Sequence, residues 1–168
     1  MTRTERYVNG HKMVHRLHQL QDEHGWSHVE FLQGMSLLDD PTPIFLHLVA
    51  FEPVMRSQAS PELLEKYGSL MAHRGIYGCY LQTELGHGSN VSALETTATY
   101  LPDSRQFEIH SPTLTSSKWW IGAAGKTSTH GIVQAQLILP GGKNMGPHLF
   151  LVQLRSLGAS GRYNPGAV

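Results

Sequence analysis

The sequence has 168 residues, a length that corresponds to about one domain and is sufficient to bury a hydrophobic core. Thirteen Lys and Arg residues balance thirteen Asp and Glu residues, and this net charge of zero disfavours nucleic-acid binding, which needs a basic surface. No apolar run approaches the ~20 residues of a membrane span, so no transmembrane segment is predicted. Cys79 is the only cysteine, which excludes an intrachain disulfide and a CxxC zinc motif and favours a reducing compartment.

Helix signals dominate the first 75 residues. Apolar residues at helical spacing predict a helix after Thr4. Ser27 and Glu30 have the spacing of a capping box, which predicts the start of a second helix.

Two further helices are indicated by a hydroxyl residue followed directly by proline. Thr42 and Ser60 each precede a proline, and they predict helices over residues 43–52 and 61–72. The segment 43–52 is apolar on nearly every side, so we expect it to be buried and to kink or end at Pro53.

After Gly75 the pattern changes to short β-rich runs that are separated by turns. The sequence therefore predicts an α+β protein, in which N-terminal helices precede an antiparallel β domain. The predicted division is a partial helical domain (1–75), a middle β domain (76–155) and an irregular tail (156–168). Five strands are expected, at residues 76–83, 91–100, 106–110, 131–139 and 148–154.

Eleven histidines raise the question of a metal site. His11, His15 and His18 share a predicted helix, but no HExxH motif accompanies them. A solvated polar face is the favoured interpretation, and no metal site is predicted. Cys79 lies in a predicted strand, and we interpret it as a buried structural thiol.

The strongest functional signal comes from three segments: GCYLQTELGHGSN at 78–90, LETTATY at 94–100 and KWWIGAAGKTSTHGIVQAQL at 118–137. Together they resemble the peroxisomal acyl-CoA oxidases, the oxygen-using branch of the acyl-CoA dehydrogenase superfamily. The resemblance extends from about Glu5 to Arg155. It implies a helical N-terminal region, a middle β domain that binds FAD and acyl-CoA, and a peroxisomal location.

A flavin ring is flat and amphipathic, so it needs an apolar or aromatic wall and a few fixed hydrogen-bond partners. The resemblance implies that Thr83 hydrogen-bonds the flavin of FAD, that Gly122 presents backbone to it and that Trp120 lies beside the ring. It also implies that Gly88 and Ser89 contact the acyl-CoA substrate.

Three neighbouring residues carry other interpretations. Glu84 is the only acid in its loop and is a candidate general base, but the resemblance places the base in a C-terminal helical region beyond this chain. No catalytic residue is therefore predicted. His87 either donates a hydrogen bond or shapes the turn. Trp119 is expected to pack in the core, as paired tryptophans usually do.

The family reaction removes one hydrogen from each of the α and β carbons of a fatty acyl-CoA, and oxygen is reduced to hydrogen peroxide. The resemblance also implies a dimer that the C-terminal region forms. Three interpretations stay open. The chain represents an acyl-CoA oxidase, or it is an inactive chain that at most binds flavin or acyl-CoA. The third, an electron-transfer-linked dehydrogenase, matches the motifs less well.

Overall fold

A computed structural model describes residues 1–39, 42–156 and 158, and the chain divides into two compact units, Met1–Phe45 and the part from Leu46 onward. Helices precede a five-stranded sheet, which confirms the predicted α+β class. Residue 75 marks the change from helix to strand, whereas the division between the units follows Phe45. In the described ranges, no helix combines the length and the apolar character that crossing a membrane requires. Most of the predicted tail lies outside the described residues.

The first unit contains helices α1 (Arg3–His24) and α2 (His28–Ser36). The predicted capping box is confirmed at the start of α2. The Ser27 hydroxyl accepts from the Glu30 N–H at 3.3 Å, and the Glu30 carboxylate accepts from the Ser27 N–H at 2.8 Å. Gly25 ends α1 in the left-handed conformation (φ 64°), which glycine adopts without steric cost.

The predicted solvated histidine face on α1 is wrong at His18. This side chain is buried and stacks on Phe31, with 4.3 Å between the ring centroids. His15, three residues earlier, is exposed as predicted. The difference arises because the 3.6-residue period turns His18 toward the same side as the buried residues Val14 and Leu17.

The second unit opens with a π-helical turn (His47–Phe51), which continues directly into α3 (Glu52–Gln58) and is followed by α4 (Pro61–Ala72). A kink or an end was predicted at Pro53, and the end is wrong, because the helix continues for five more residues. Pro53 has no N–H to donate, and the π turn, in which Glu52 N–H bonds to the His47 carbonyl, accommodates it.

The prediction that segment 43–52 is buried on every side also needs correction. Ile44, Leu48 and Phe51 are buried, whereas Phe45 and Val49 are about half exposed. The buried residues follow the three-to-four-residue spacing of one helix face, so the apolar character of the remaining positions does not reflect burial.

The sheet is mixed rather than antiparallel. Strand β4 runs parallel to β1 and β2, and only the β2–β3 and β4–β5 pairs are antiparallel. Parallel neighbours need long connections. The chain between β1 and β4 and the chain between β2 and β4 are both long enough, because each includes the segment that joins β3 to β4. The predicted strand 91–100 begins instead with a 3₁₀ turn (Val91–Ala93). The strands are β1 (Gly78–Leu81), β2 (Thr97–Leu101), β3 (Gln106–His110), β4 (His130–Leu139) and β5 (Lys143–Gln153).

Strands β1 and β2 lie end to end along one edge of β4. Strand β5 pairs along the other edge, while β1 pairs with His130–Val133 and β2 with Gln136–Ile138. A strand has only two edges, so β1 and β2 share the same one. The loop between β1 and β2 therefore begins and ends close to Gln134, in the gap between the parts of β4 that pair with the two strands.

The sheet has a core on each face. Ile132 on β4 joins the helical residues Phe51, Met55 and Met71. The adjacent Val133 faces the opposite way and packs with Ala98 and Ala135. Cys79 is buried as predicted, and burial raises the pKa of its thiol, so the group stays in the protonated, weakly nucleophilic form.

Candidate functional site

Two segments singled out by sequence lie side by side after β1 and before β4. Glu84 and Lys118 form an antiparallel bridge between them. The Trp119 N–H donates to the Thr83 carbonyl at 3.0 Å, and the Leu85 N–H donates to the Ser117 carbonyl at 2.9 Å. Residues 83–86 and 115–119 are named the paired loops. Their pairing places Thr83 beside Trp119, the residue that precedes the predicted flavin contact Trp120.

The bridge decides which side chains face inward. Glu84 and Lys118 form a non-hydrogen-bonded antiparallel pair, in which the two side chains lie on the same side and close together. Both side chains are buried. Successive side chains along an extended chain alternate in direction, so those of Thr83 and Trp119 lie on the opposite, outer side.

The Glu84 carboxylate accepts three hydrogen bonds from two neighbouring segments. It is bonded by the backbone N–H of Glu95 at 2.8 Å, the backbone N–H of Thr96 at 2.9 Å and the Lys118 ammonium at 3.1 Å. Burial raises the pKa of Glu84, but these donors together outweigh burial and lower the pKa to about 2. The carboxylate is therefore ionised and fully engaged, which is unsuited to a general base.

Lys118 connects the paired loops to the sheet. Its ammonium donates to the Gln134 carbonyl at 2.7 Å and to the Gln82 carbonyl at 3.1 Å, in addition to Glu84. Gln134 lies where β4 passes the junction of β1 and β2, so the ammonium supplies a donor between the two strands. Burial lowers the pKa of Lys118, and the Glu84 carboxylate opposes this effect.

His87 combines the two roles between which the sequence left a choice. Its Nδ1 lies 3.1 Å from the Glu84 carboxylate, and its backbone N–H and carbonyl both bond to the backbone of Glu84. The ring therefore joins the hydrogen-bond network, and the main chain shapes the turn. Nε2 lies 3.6 Å from Glu95, whose carboxylate accepts from the hydroxyls of Thr113 and Thr115.

The predicted flavin contacts Thr83 and Trp120 are both accessible to solvent, Thr83 in part and Trp120 almost completely. Thr83 is half-buried, and its hydroxyl makes no hydrogen bond among residues 1–39 and 42–156. Trp120 is 90% exposed and has φ 58°, a left-handed conformation that is rare for a bulky side chain. Trp119 is 55% exposed, so its predicted packing in the core is wrong. The bridge next to it explains this, because it directs Lys118 inward and Trp119 outward.

Gly122 lies two residues beyond the tryptophans, where its missing side chain allows a close approach. A Cβ atom at this position would lie 2.5 Å from Cδ1 of Leu46. Gly88 and Ser89 are exposed and follow the His87 turn in the same loop. A Cβ atom at Gly88 would meet nothing within 4 Å, so open space borders this position.

These residues fit the isoalloxazine ring of a flavin. Trp119 and Trp120 provide accessible aromatic surface, and the Thr83 hydroxyl provides a hydrogen-bonding group on the same side of the paired loops as Trp119. Sequence reasoning selected Thr83 and Trp120 but missed Lys118, Glu95, Thr113 and Thr115. The position of Lys118 directly before the tryptophan pair was a sequence feature that could have pointed to it.

Helices followed by this mixed sheet form the N-terminal and middle domains of the acyl-CoA oxidase fold. Residues 1–77 match the family model described as acyl-coenzyme A oxidase N-terminal. Peroxisomal acyl-coenzyme A oxidase 1 of Arabidopsis thaliana is 52% identical over 120 residues, which are 71% of this chain and 18% of that relative. The chain belongs to the acyl-CoA oxidase family.

Solved structures agree with this assignment. An acyl-CoA oxidase from tomato (Lycopersicon esculentum) matches with a TM-score of 0.88 and 43% identity, over 99% of this chain and 25% of that one. Acyl-CoA oxidase-2 of Caenorhabditis elegans, bound with FAD, ascaroside-CoA and ATP, matches with a TM-score of 0.81 and 40% identity, over 93% of this chain and 24% of that one. The chain spans about a fifth to a quarter of the length of these relatives.

Proposed function

We propose that this chain provides the N-terminal and flavin-facing part of a peroxisomal acyl-CoA oxidase. Such an enzyme converts a fatty acyl-CoA to the trans-2-enoyl-CoA and reduces oxygen to hydrogen peroxide. Bound FAD supplies the acceptor for the hydride that leaves the β carbon. Support comes from the relatives named above and from the chemistry of the paired loops.

The observation that carries the proposal is the placement of Thr83 and Trp119 on the outer side of the paired loops, with the exposed Trp120 directly following Trp119. The Thr83 hydroxyl would hydrogen-bond the polar edge of the flavin, and Trp120 would form a wall beside the ring. The backbone at Gly122 would complete this contact. Gly88 and Ser89, exposed in the same loop, would contact the acyl-CoA.

Abstraction of the α proton requires a base other than Glu84. An efficient general base has a pKa near the working pH, and a pKa of about 2 leaves Glu84 far too weak. Glu95 is engaged by Thr113 and Thr115. We therefore expect the 168 residues alone to bind flavin without oxidising acyl-CoA, the behaviour of a binding module.

Titration of the chain with FAD, followed by flavin fluorescence, tests the binding role. Trp120→Ala should raise the Kd of FAD about tenfold, because it removes an aromatic wall. Thr83→Val should raise it about three- to tenfold, the range that one net hydrogen bond gives. Thr99→Val on β2 is the matched control and should leave the Kd unchanged. An unmodified chain that fails to bind FAD would contradict the proposal.

Peroxide release tests the second part. With FAD and a saturated acyl-CoA, the chain should release peroxide at the rate measured without protein. Robust release that Glu84→Gln abolishes would show that Glu84 is the base after all.

A further inference from the structure

The Glu84–Lys118 pair joins four separate stretches of the chain. The carboxylate holds the backbone N–H groups of Glu95 and Thr96, which lead into β2. The ammonium holds the carbonyl of Gln134 on β4 and that of Gln82 at the end of β1. The paired loops are thereby fixed to both strands that share this edge of β4.

Stability alone does not account for a buried pair of this kind. Removing two charges from water carries a desolvation cost that can exceed their mutual attraction, and well-packed apolar residues often serve stability equally well. What the pair adds is geometry. Each charged group has several donors or acceptors at fixed positions, so the bridge between the loops has one defined arrangement.

That arrangement determines where the neighbouring side chains lie. Trp119 directly follows Lys118, and Thr83 directly precedes Glu84, so each is set on the outer side by the inward direction of its neighbour. The Trp119 N–H bond to the Thr83 carbonyl, 3.0 Å long, fixes the spacing between the two. The next residue, Trp120, takes its left-handed conformation directly after this bond.

We propose that Glu84 and Lys118 are positioning residues that hold Thr83 and the Trp119–Trp120 pair in the arrangement that binds the flavin. The flavin part of this inference rests on the proposed function. Neither side chain touches the flavin, and both act through the main chain of the paired loops. Without the ammonium, the Gln82 and Gln134 carbonyls lose a donor, and the two loops lose their common attachment to the sheet.

The test uses Glu84→Gln, Lys118→Met and the double variant that combines them. All are made in the chain with Trp26→Phe, so that tryptophan signals report only on Trp119 and Trp120. Near-ultraviolet circular dichroism measures how rigidly the two indoles are held, titration gives the Kd of FAD, and thermal unfolding gives the midpoint. Arg56→Met is the control, because it removes an exposed ion pair with Glu52 in the same unit.

Each single variant should reduce the near-ultraviolet signal and raise the Kd of FAD about tenfold or more, as expected when hydrogen bonds to charged groups are lost. The double variant should recover much of the thermal midpoint lost in Lys118→Met, since no buried charge is left unpaired. Its near-ultraviolet signal and its Kd should stay impaired. Arg56→Met should change none of the three.

A double variant that regains signal and affinity together with its midpoint would overturn the inference, because the pair would then contribute stability only. Single variants that bind FAD like the parent chain would overturn it as well. If the parent chain itself binds no FAD, the proposed function fails, and the near-ultraviolet signal alone decides the positioning role. A double variant with the signal of the parent chain would then refute it, and a reduced signal would support it.

Discussion

Gly78, the first residue of β1, is a position where one added methyl group should disrupt the second unit. A Cβ atom there would lie closer than 3.0 Å to three ring atoms of Phe51. Phe51 is fully buried in the core beneath the sheet, and the Gly78 N–H donates to Nδ1 of buried His47 at 3.1 Å. Neither the strand nor the ring is therefore free to move away.

The magnitude follows from this overlap. Overpacking a well-filled core costs about 1–3 kcal/mol and occasionally more. We expect Gly78→Ala to fall at the upper end, because the ring atoms belong to a residue held on all sides and not to a flexible chain end. The substitution should also lengthen or break the bond to His47, which adds about 0.5–1.5 kcal/mol.

Urea unfolding followed by circular dichroism measures the change in free energy. Gly68→Ala on α4 is the matched control: a Cβ there meets nothing within 4 Å, and replacing a helical glycine by alanine stabilises by about 0.5–1 kcal/mol. The same chemical change should thus have opposite signs at the two positions. A Gly78→Ala chain as stable as the parent would refute the reasoning about Phe51.

Two further predictions concern pH and oxygen. Burial lowers the pKa of His47 and of His130, so the unfolded chain takes up protons first as the pH falls. The contribution of these two histidines to the free energy of unfolding should therefore be constant above pH ~6.5. Below that pH it should decrease by up to ~1.4 kcal/mol per pH unit and histidine, as unfolding at several pH values would reveal. A free energy of unfolding that does not fall between pH ~6.5 and ~5 would contradict this. A Cβ added at Gly122 would lie 2.5 Å from Cδ1 of Leu46, so Gly122→Thr is made together with Leu46→Ala, which removes this overlap. In a full-length oxidase with these residues, the pair of changes should slow flavin reoxidation by oxygen more than reduction by acyl-CoA, when compared with Leu46→Ala alone. Equal effects on both half-reactions in stopped flow would count against a steric role.

Features governed by local chemistry could be predicted from the sequence. The capping box of Ser27 and Glu30 needs only residues three apart, and the structure has it where the pattern indicates. Strand β3 has the predicted bounds, because alternation and its flanking turns suffice to define it. The parallel partners of β4 could not be predicted, since strands far apart in sequence are paired by the packing of the entire sheet.

The same distinction explains what the sequence missed in the site. Motif wording led to Thr83 and Trp120. Thr83 lies on the outer side of the paired loops, and Trp120 is 90% exposed. Residue type alone suggested a buried Trp119. The neighbouring Lys118 is bridged to Glu84, 34 residues earlier in the sequence, and this bridge directs the Trp119 side chain outward. Lys118 acquires its role only when Glu84 and Gln134 meet it in space.

Glu84 illustrates why an acid in a segment proposed to bind flavin need not be the base. A carboxylate placed in an apolar pocket gains basicity, because burial disfavours its charged form. Glu84 is also buried, yet three N–H donors bond to its carboxylate and lower its pKa by more than burial raises it. The hydrogen bonds that hold the loops together therefore lower the affinity of Glu84 for a proton. A catalytic base must keep that affinity for the substrate, so the two roles exclude each other at a single carboxylate.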